Sequence, residues 1–255
     1  MHCDAVPNLI SGVCERQGSE HTDRVTAVPT DYDEDPERFA ANQAATARLV
    51  APADVHIEVA DHFAAVGCRR VLDIGGGNGR LAQLLNERGV TTVVADRARY
   101  VRQAPPPVIR AEASALPLRA ETFDAAAALW MLYHLADPML ALREAHRVLR
   151  PGGLLAVCAP SRFNDPELAD MLPGWGEPLS FDAENGMAQL EAVFPDLETQ
   201  TWDEPMATLP DIEAATLFLR GRGFSPERAV AAAGTMTLPI RVTKRGFLAV
   251  ARKAG

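Results

Sequence analysis

Between residues 69 and 160, short apolar runs alternate with amphipathic stretches. RRVLDIG (69–75), VTTVVAD (90–96), VIRAEA (108–113), FDAAAALW (123–130) and LLAVCAP (154–160) are nearly continuous in apolar residues. Strands covered on both faces read this way. The alanines of the fourth run suit a helix equally well by propensity. Between the runs the period becomes helical. NGRLAQLLNERG (78–89) sets Leu81, Leu84 and Leu85 on one face and stops at Gly89. RARYVRQA (97–104) is a short helix closed by three prolines, and DPMLALREAHRVL (137–149) is a longer one closed by RPGG. Apolar strands separated by helices predict a parallel sheet covered on both sides.

The flanks read differently. Residues 1 to 30 show no sustained period and are expected to form a loose tail or lid. DEDPERFAANQAATARLVAPADVHIEVADHFAAVG (33–67) predicts two helices, with Asp35 capping before Pro36 and Pro52 breaking the run. Residues 164–195 read as helical pieces broken by Pro and Gly. LETQTWDEP (197–205) reads as a sixth strand, and 210–224 and 225–234 as helices. LPIRVTKRGFLAVARK (238–253) alternates, as an edge strand does.

The turn after the first strand holds the first candidate chemistry. Gly75, Gly76, Gly77 and Gly79 lie at the carboxyl end of that strand, where open parallel sheets bind ligands. Glycine lets backbone approach a ligand closely, and the next helix aims its free N–H groups at the same place. The run D-I-G-G-G-N-G departs from the dinucleotide pattern G-x-G-x-x-G, since Gly79 comes one residue early. Asp73, two residues before the first glycine, would repel a pyrophosphate and suits a cationic amine. Asp96 ends the second strand, where an acid can accept from both ribose hydroxyls. Glu112 ends the third run, where a carboxylate can take the exocyclic amine of adenine. Receptors for an amine, a ribose and an adenine in successive loops describe S-adenosylmethionine.

VLDIGGGNG, the strand-end Asp96, EASALPL, FDAAAALWMLYHLADP and RVLRPGGLLAV stand in the order and spacing of the class I S-adenosylmethionine-dependent methyltransferases. The chain resembles their small-molecule branch over about residues 70–160. The resemblance implies a Rossmann-like α/β fold, a doubly wound seven-stranded sheet of order 3-2-1-4-5-7-6 with the seventh strand antiparallel. It implies a single domain over 31–255, with a cofactor-binding core at 70–160 and acceptor-shaping flanks at 31–69 and 161–235. It further implies that Asp73, Gly75, Gly76 and Gly77 cradle the methionine part and that Asp96 and Arg97 serve the ribose. Glu112 and Ala113 would frame the adenine, with Leu129 and Trp130 near the methionine end. Tyr32, in YDEDPERFA, would fold over the cofactor. The family usually has Asp at position 112 and often two histidines where this chain has Tyr133-His134.

His134 is the candidate catalytic base or acceptor-orienting residue, since imidazoles titrate near neutrality. His146 and Trp175 read as packing residues, Trp175 equally as a cover over an apolar acceptor. Asp165 before Pro166 reads as a helix cap, and Arg143 and Glu144 as a solvated helix face. The expected reaction is methyl transfer to a small molecule, with specialised metabolism as the expected setting, leaving S-adenosylhomocysteine. A cofactor-binding protein that does not methylate and, more remotely, a nicotinamide-dependent oxidoreductase are the competing readings. The net charge of −9 over 255 residues argues against a nucleic-acid partner. Four scattered cysteines and no apolar run of membrane-spanning length fit a cytoplasmic monomer or homodimer, and no metal is implied.

Overall fold

A computed structural model describes residues 35–50 and 54–255. The tail at 1–30 and Tyr32 lie outside the described residues. Seven strands form one sheet of order β3-β2-β1-β4-β5-β7-β6. They are β1 (Arg70–Ile74), β2 (Thr91–Asp96), β3 (Val108–Arg110), β4 (Phe123–Leu129), β5 (Leu149–Pro160), β6 (Asp196–Leu209) and β7 (Ile240–Arg252). Strands β1 to β5 pair in parallel, and β7 runs antiparallel to both β5 and β6. The fold is the expected Rossmann-like one.

β4 settles the ambiguity of its alanines. It lies between β1 and β5, with Ala125 and Ala127 buried on one face and Ala126 and Ala128 on the other. Helix propensity favours alanine only slightly, and two neighbouring strands that need backbone partners outweigh it. Helices α1 (Pro36–Leu49), α2 (Val55–Ala65) and α3 (Arg80–Glu87) come early in the chain. Helices α4 (Pro138–Val148), α5 (Gly186–Glu191), α6 (Ile212–Gly221) and α7 (Pro226–Ala233) follow. Aspartates cap α1, α4 and α6: Asp35, Asp137 and Asp211 accept from Arg38 N, Met139 N and Ala214 N at 3.0, 3.0 and 2.9 Å. One apolar layer, with α2 and α3, covers one sheet face through Val59, Phe63, Leu81 and Leu85. A larger one, with α4 and Phe181, Leu190 and Phe194, covers the other. Among the described residues no helix is long and apolar enough to cross a membrane.

Three expectations are corrected. Residues 164–185 form turns and one 3-10 turn rather than helical pieces. The fully buried Asp182 holds the last of these turns, accepting from the backbone N–H groups of Leu179, Glu184 and Asn185 and from Arg162. Glu144 is not on a solvated face. It accepts from Leu116 N at 2.8 Å and pairs with Arg147, which donates to the carbonyls of Leu116 and Leu118. This pins the loop after β3 to α4. Asp165 makes no side-chain cap. Its buried carboxylate takes Arg222 Nε at 2.6 Å and Lys244 Nζ at 2.5 Å, tying the segment after β5 to α6 and β7.

Candidate active site

The glycine turn lies at the carboxyl end of β1, between β2 and β4. Gly75, Gly77 and Gly79 have φ of +67°, +59° and +83°. Such values favour glycine. Gly75 N donates to Ala95 O at 2.7 Å, and a Cβ on Gly75 would sit 2.8 Å from Met131 Cβ. Gly76 has no unusual φ. It is required for another reason: a Cβ there would overlap Cγ and Oδ2 of Asp73. The Asp73 carboxyl therefore lies directly against the turn.

Asp73 is 3% exposed, and among the described residues its Oδ2 has no hydrogen-bond partner. Burial, then the negative charge of Asp96, pushes its pKa up to about 7. A group with a raised carboxyl pKa favours folding while it is protonated. In the unfolded chain it ionises near pH 4, so its contribution to stability declines as pH rises from about 4 to 7. Asp73→Asn stays neutral throughout. Thermal melts should show this variant gaining on the wild type as pH rises from about 4 to 7 and levelling off above, by an amount on the order of a few kcal/mol. A pH-independent difference would contradict the raised pKa.

Asp96 is 7% exposed and ends β2. Its Oδ2 accepts from Gly77 N at 2.9 Å and its Oδ1 from Ala98 N at 2.8 Å. One carboxylate thus joins the glycine turn to the loop after β2. Ala111 N donates to Asp96 O at 3.0 Å, which brings the loop after β3 beside it. β3 ends at Arg110, so Glu112 is not in the strand but two residues beyond it, and it is exposed. Ala113 is buried in the core, and Arg97 is exposed with its carbonyl accepting from Arg110 Nε at 2.8 Å.

On the β4 side, Leu129 is buried and Trp130 half-buried. Trp130 has φ +58°, while its N–H donates to Cys158 O at 3.0 Å. A bulky residue there costs on the order of 1–3 kcal/mol, and such strain concentrates at functional sites. Its indole meets Trp202 edge-on at 6.1 Å. His134 closes the 3-10 turn that follows, its N–H donating to Met131 O at 3.0 Å and its ring 4.4 Å from Tyr133. His146 packs edge-on against Phe194, and Trp175 packs against Phe163 while donating to Asn164 O.

The structure thus gathers Asp73, the glycines, Asp96, Leu129 and Trp130 at one end of the sheet, with Glu112 at its rim. The resemblance implied that the segment Tyr32–Ala40 folds over the cofactor, but the side chains that meet the turn were not identified from the sequence. Phe39 of α1 and Tyr100 stack at 4.6 Å, and a Cβ on Gly77 would lie 3.3 Å from Phe39 and 3.5 Å from Tyr100. Gln43 of α1 and Asn78 exchange amide hydrogen bonds at 3.1 and 3.2 Å. The only signal was an aromatic residue within the predicted first helix.

Residues 72–157 match the family described as "Methyltransferase domain". An uncharacterized methyltransferase of Mycobacterium tuberculosis is 36% identical over 132 residues, 48% of this chain and 54% of that protein. The chain thus spans about half the length of these curated relatives. A demethylmenaquinone methyltransferase of Clavibacter sepedonicus is 27% identical over 229 residues, 82% of each chain. Among solved structures, the [4+2]-cyclase SpnF has a TM-score of 0.59 at 18% identity, covering 88% of this chain and 95% of that one. The YcgJ protein of Bacillus subtilis has a TM-score of 0.56 at 19% identity, covering 78% and 98%.

Through this core, residues 72–157, the chain is similar to the class I S-adenosylmethionine-dependent methyltransferases.

The residues of this core fit the cofactor that the similarity implies. A buried carboxylate with an unpartnered oxygen calls for a cation, and the cofactor carries an α-amine. The side-chain-free turn beside it leaves backbone to approach the same group. A pyrophosphate, doubly negative, would meet the charge of Asp96 and an ionised Asp73.

Proposed function

We propose that this chain transfers a methyl group from S-adenosylmethionine to a small organic acceptor. The observation that carries the reading is the buried, unpartnered oxygen of Asp73 against the glycine turn. In this reading Asp73, with Gly75, Gly76 and Gly77, holds the amino-acid part. Asp96 and Arg97 serve the ribose, Glu112 and Ala113 frame the adenine, and Leu129 and Trp130 border the methionine end.

The bound cofactor supplies a methyl group already activated by a positively charged sulfur. The chain's own work is then positioning. Fixing the acceptor in line with the methyl removes much of the entropic barrier. A site closed by α1, through Phe39, Tyr100 and the Gln43–Asn78 amide pair, excludes water. His134 takes the acceptor's proton where that acceptor carries one. His134→Ala is expected to lower turnover about a hundredfold or more while leaving cofactor affinity within about twofold. Equal turnover in the two proteins would make the histidine structural.

Relatives named for demethylmenaquinone and ubiquinone/menaquinone methylation support a small-molecule acceptor. The test is release of S-adenosylhomocysteine across a panel of hydroxylated aromatic, quinol and amine acceptors. Turnover with at least one supports methyl transfer. Cofactor binding with no product from any of them would favour the non-methylating reading.

A further inference from the structure

We propose that Trp130 and Trp202 form an aromatic wall of the acceptor site, and that the acceptor is accordingly a flat aromatic ring system. This rests on the methyl-transfer reading for the role of the neighbouring turn, but its observations are separate.

Two independent features of the backbone accommodate the indoles. Trp130 adopts φ +58° immediately after β4, a conformation rare for a bulky residue, while its N–H continues the hydrogen bonding to β5 at Cys158 O. The strain therefore turns the side chain without breaking the strand end. On the far side, Trp202 of β6 lies over Gly246 of β7, its direct partner in the ladder. A Cβ at Gly246 would stand 2.8 Å from Trp202 Cζ2 and 2.7 Å from Ala159 O. Gly246 has no positive φ, so its lack of a side chain serves the indole and the neighbouring strand rather than a turn.

The two rings come from strands β4 and β6, which are separated in the sheet by β5 and β7. They meet edge-on at 6.1 Å, near the carboxyl end of β5, where Pro160 pairs with Gly246 of β7. Both rings are only partly buried against the apolar layer that holds Leu129, Cys158 and Leu248. The wall follows the cradle closely along the chain: Met131, the residue after Trp130, fills the space a Cβ on Gly75 would take, packing in the opposite apolar layer from the indoles. Indole faces are negative and their edges positive, so an edge-to-face pair favours a further ring, offset-stacked or edge-on, over a saturated body of equal size.

The test uses two bicyclic alcohols of like size, 2-naphthol and trans-2-decalol, with and without S-adenosylhomocysteine. The readout is the indole N–H resonances of the 15N-labelled protein, assigned with single Trp→Phe variants. Saturable shifts of the Trp130 and Trp202 signals with 2-naphthol, at least about fivefold weaker with decalol, are expected. Trp202→Leu should weaken 2-naphthol binding at least tenfold and Trp202→Phe much less, while cofactor affinity by calorimetry stays within about twofold in both. Unmoved Trp130 and Trp202 signals, or equal affinity for the saturated alcohol, would overturn the proposal. The wild-type resonances decide it even if Trp202→Leu does not fold. Loss of cofactor binding by the wild-type protein would instead count against the methyl-transfer reading alone.

Discussion

Gly76→Ala is expected to abolish cofactor binding, weakening it by about a hundredfold or more, and to destabilise the fold by about 1–3 kcal/mol. The added methyl overlaps the Asp73 carboxyl itself, not the end of a flexible chain. Asp73 is enclosed, so it has little room to retreat, and the turn is held at Gly75 by Ala95 O and at Gly77 by Asp96. Either the carboxyl leaves the position that meets the amine or the turn lifts away from its anchors. Gly77→Ala is the informative comparison. Its Cβ would meet Phe39 and Tyr100 only at 3.3 and 3.5 Å, and its main penalty is the left-handed backbone, about 1–2 kcal/mol. Calorimetric titration with S-adenosylhomocysteine and chemical denaturation of both variants separate the effects. Near-native affinity in Gly76→Ala would show that the Asp73 carboxyl is not part of the cradle.

Asp96→Ala has the next largest expected effect. It strands the Gly77 and Ala98 N–H groups, each losing an acceptor at 2.8–2.9 Å in a buried setting. An unsatisfied buried donor costs about 1–3 kcal/mol. Cofactor affinity should fall at least tenfold, because the turn loses its tether to β2 as well as its proposed ribose acceptor. Removing the charge also removes the second cause of the raised Asp73 pKa, leaving burial as the first. The pH dependence of stability assigned above to Asp73 should therefore shift to lower pH in Asp96→Asn, which keeps an acceptor oxygen in place. Unchanged affinity in Asp96→Ala would remove this residue from the site.

The strand–helix alternation between residues 69 and 160 was legible because each element is local and each strand is covered on both faces. A near-continuous apolar run is the direct record of that burial. The turn was legible for a similar reason: its glycines, Asp73 and Asp96 are set at the ends of readable strands. What escaped is what depends on distant partners. Asp165 looks like a cap beside Pro166, but Arg222 and Lys244, far along the chain, claim its carboxylate. Glu144 looks solvated on a helical wheel, yet the loop after β3 folds back onto it. Trp202 sits in a polar, half-exposed strand, and nothing local marks its contact with Trp130. The turn at 179–185 is held by a buried aspartate, Asp182, which no periodicity announces.

The most direct measurement is calorimetric titration of the protein with S-adenosylmethionine and S-adenosylhomocysteine at about pH 6 and about pH 7.5. Both compounds carry the α-amine, so both should bind. Because Asp73 must be ionised to meet that amine and its pKa lies at about 7, affinity should be several-fold higher at the upper pH. In Asp73→Asn the pH dependence should vanish and the affinity fall. No heat and no thermal shift with either compound at either pH would contradict the assignment of this turn as a sulfonium-nucleoside cradle.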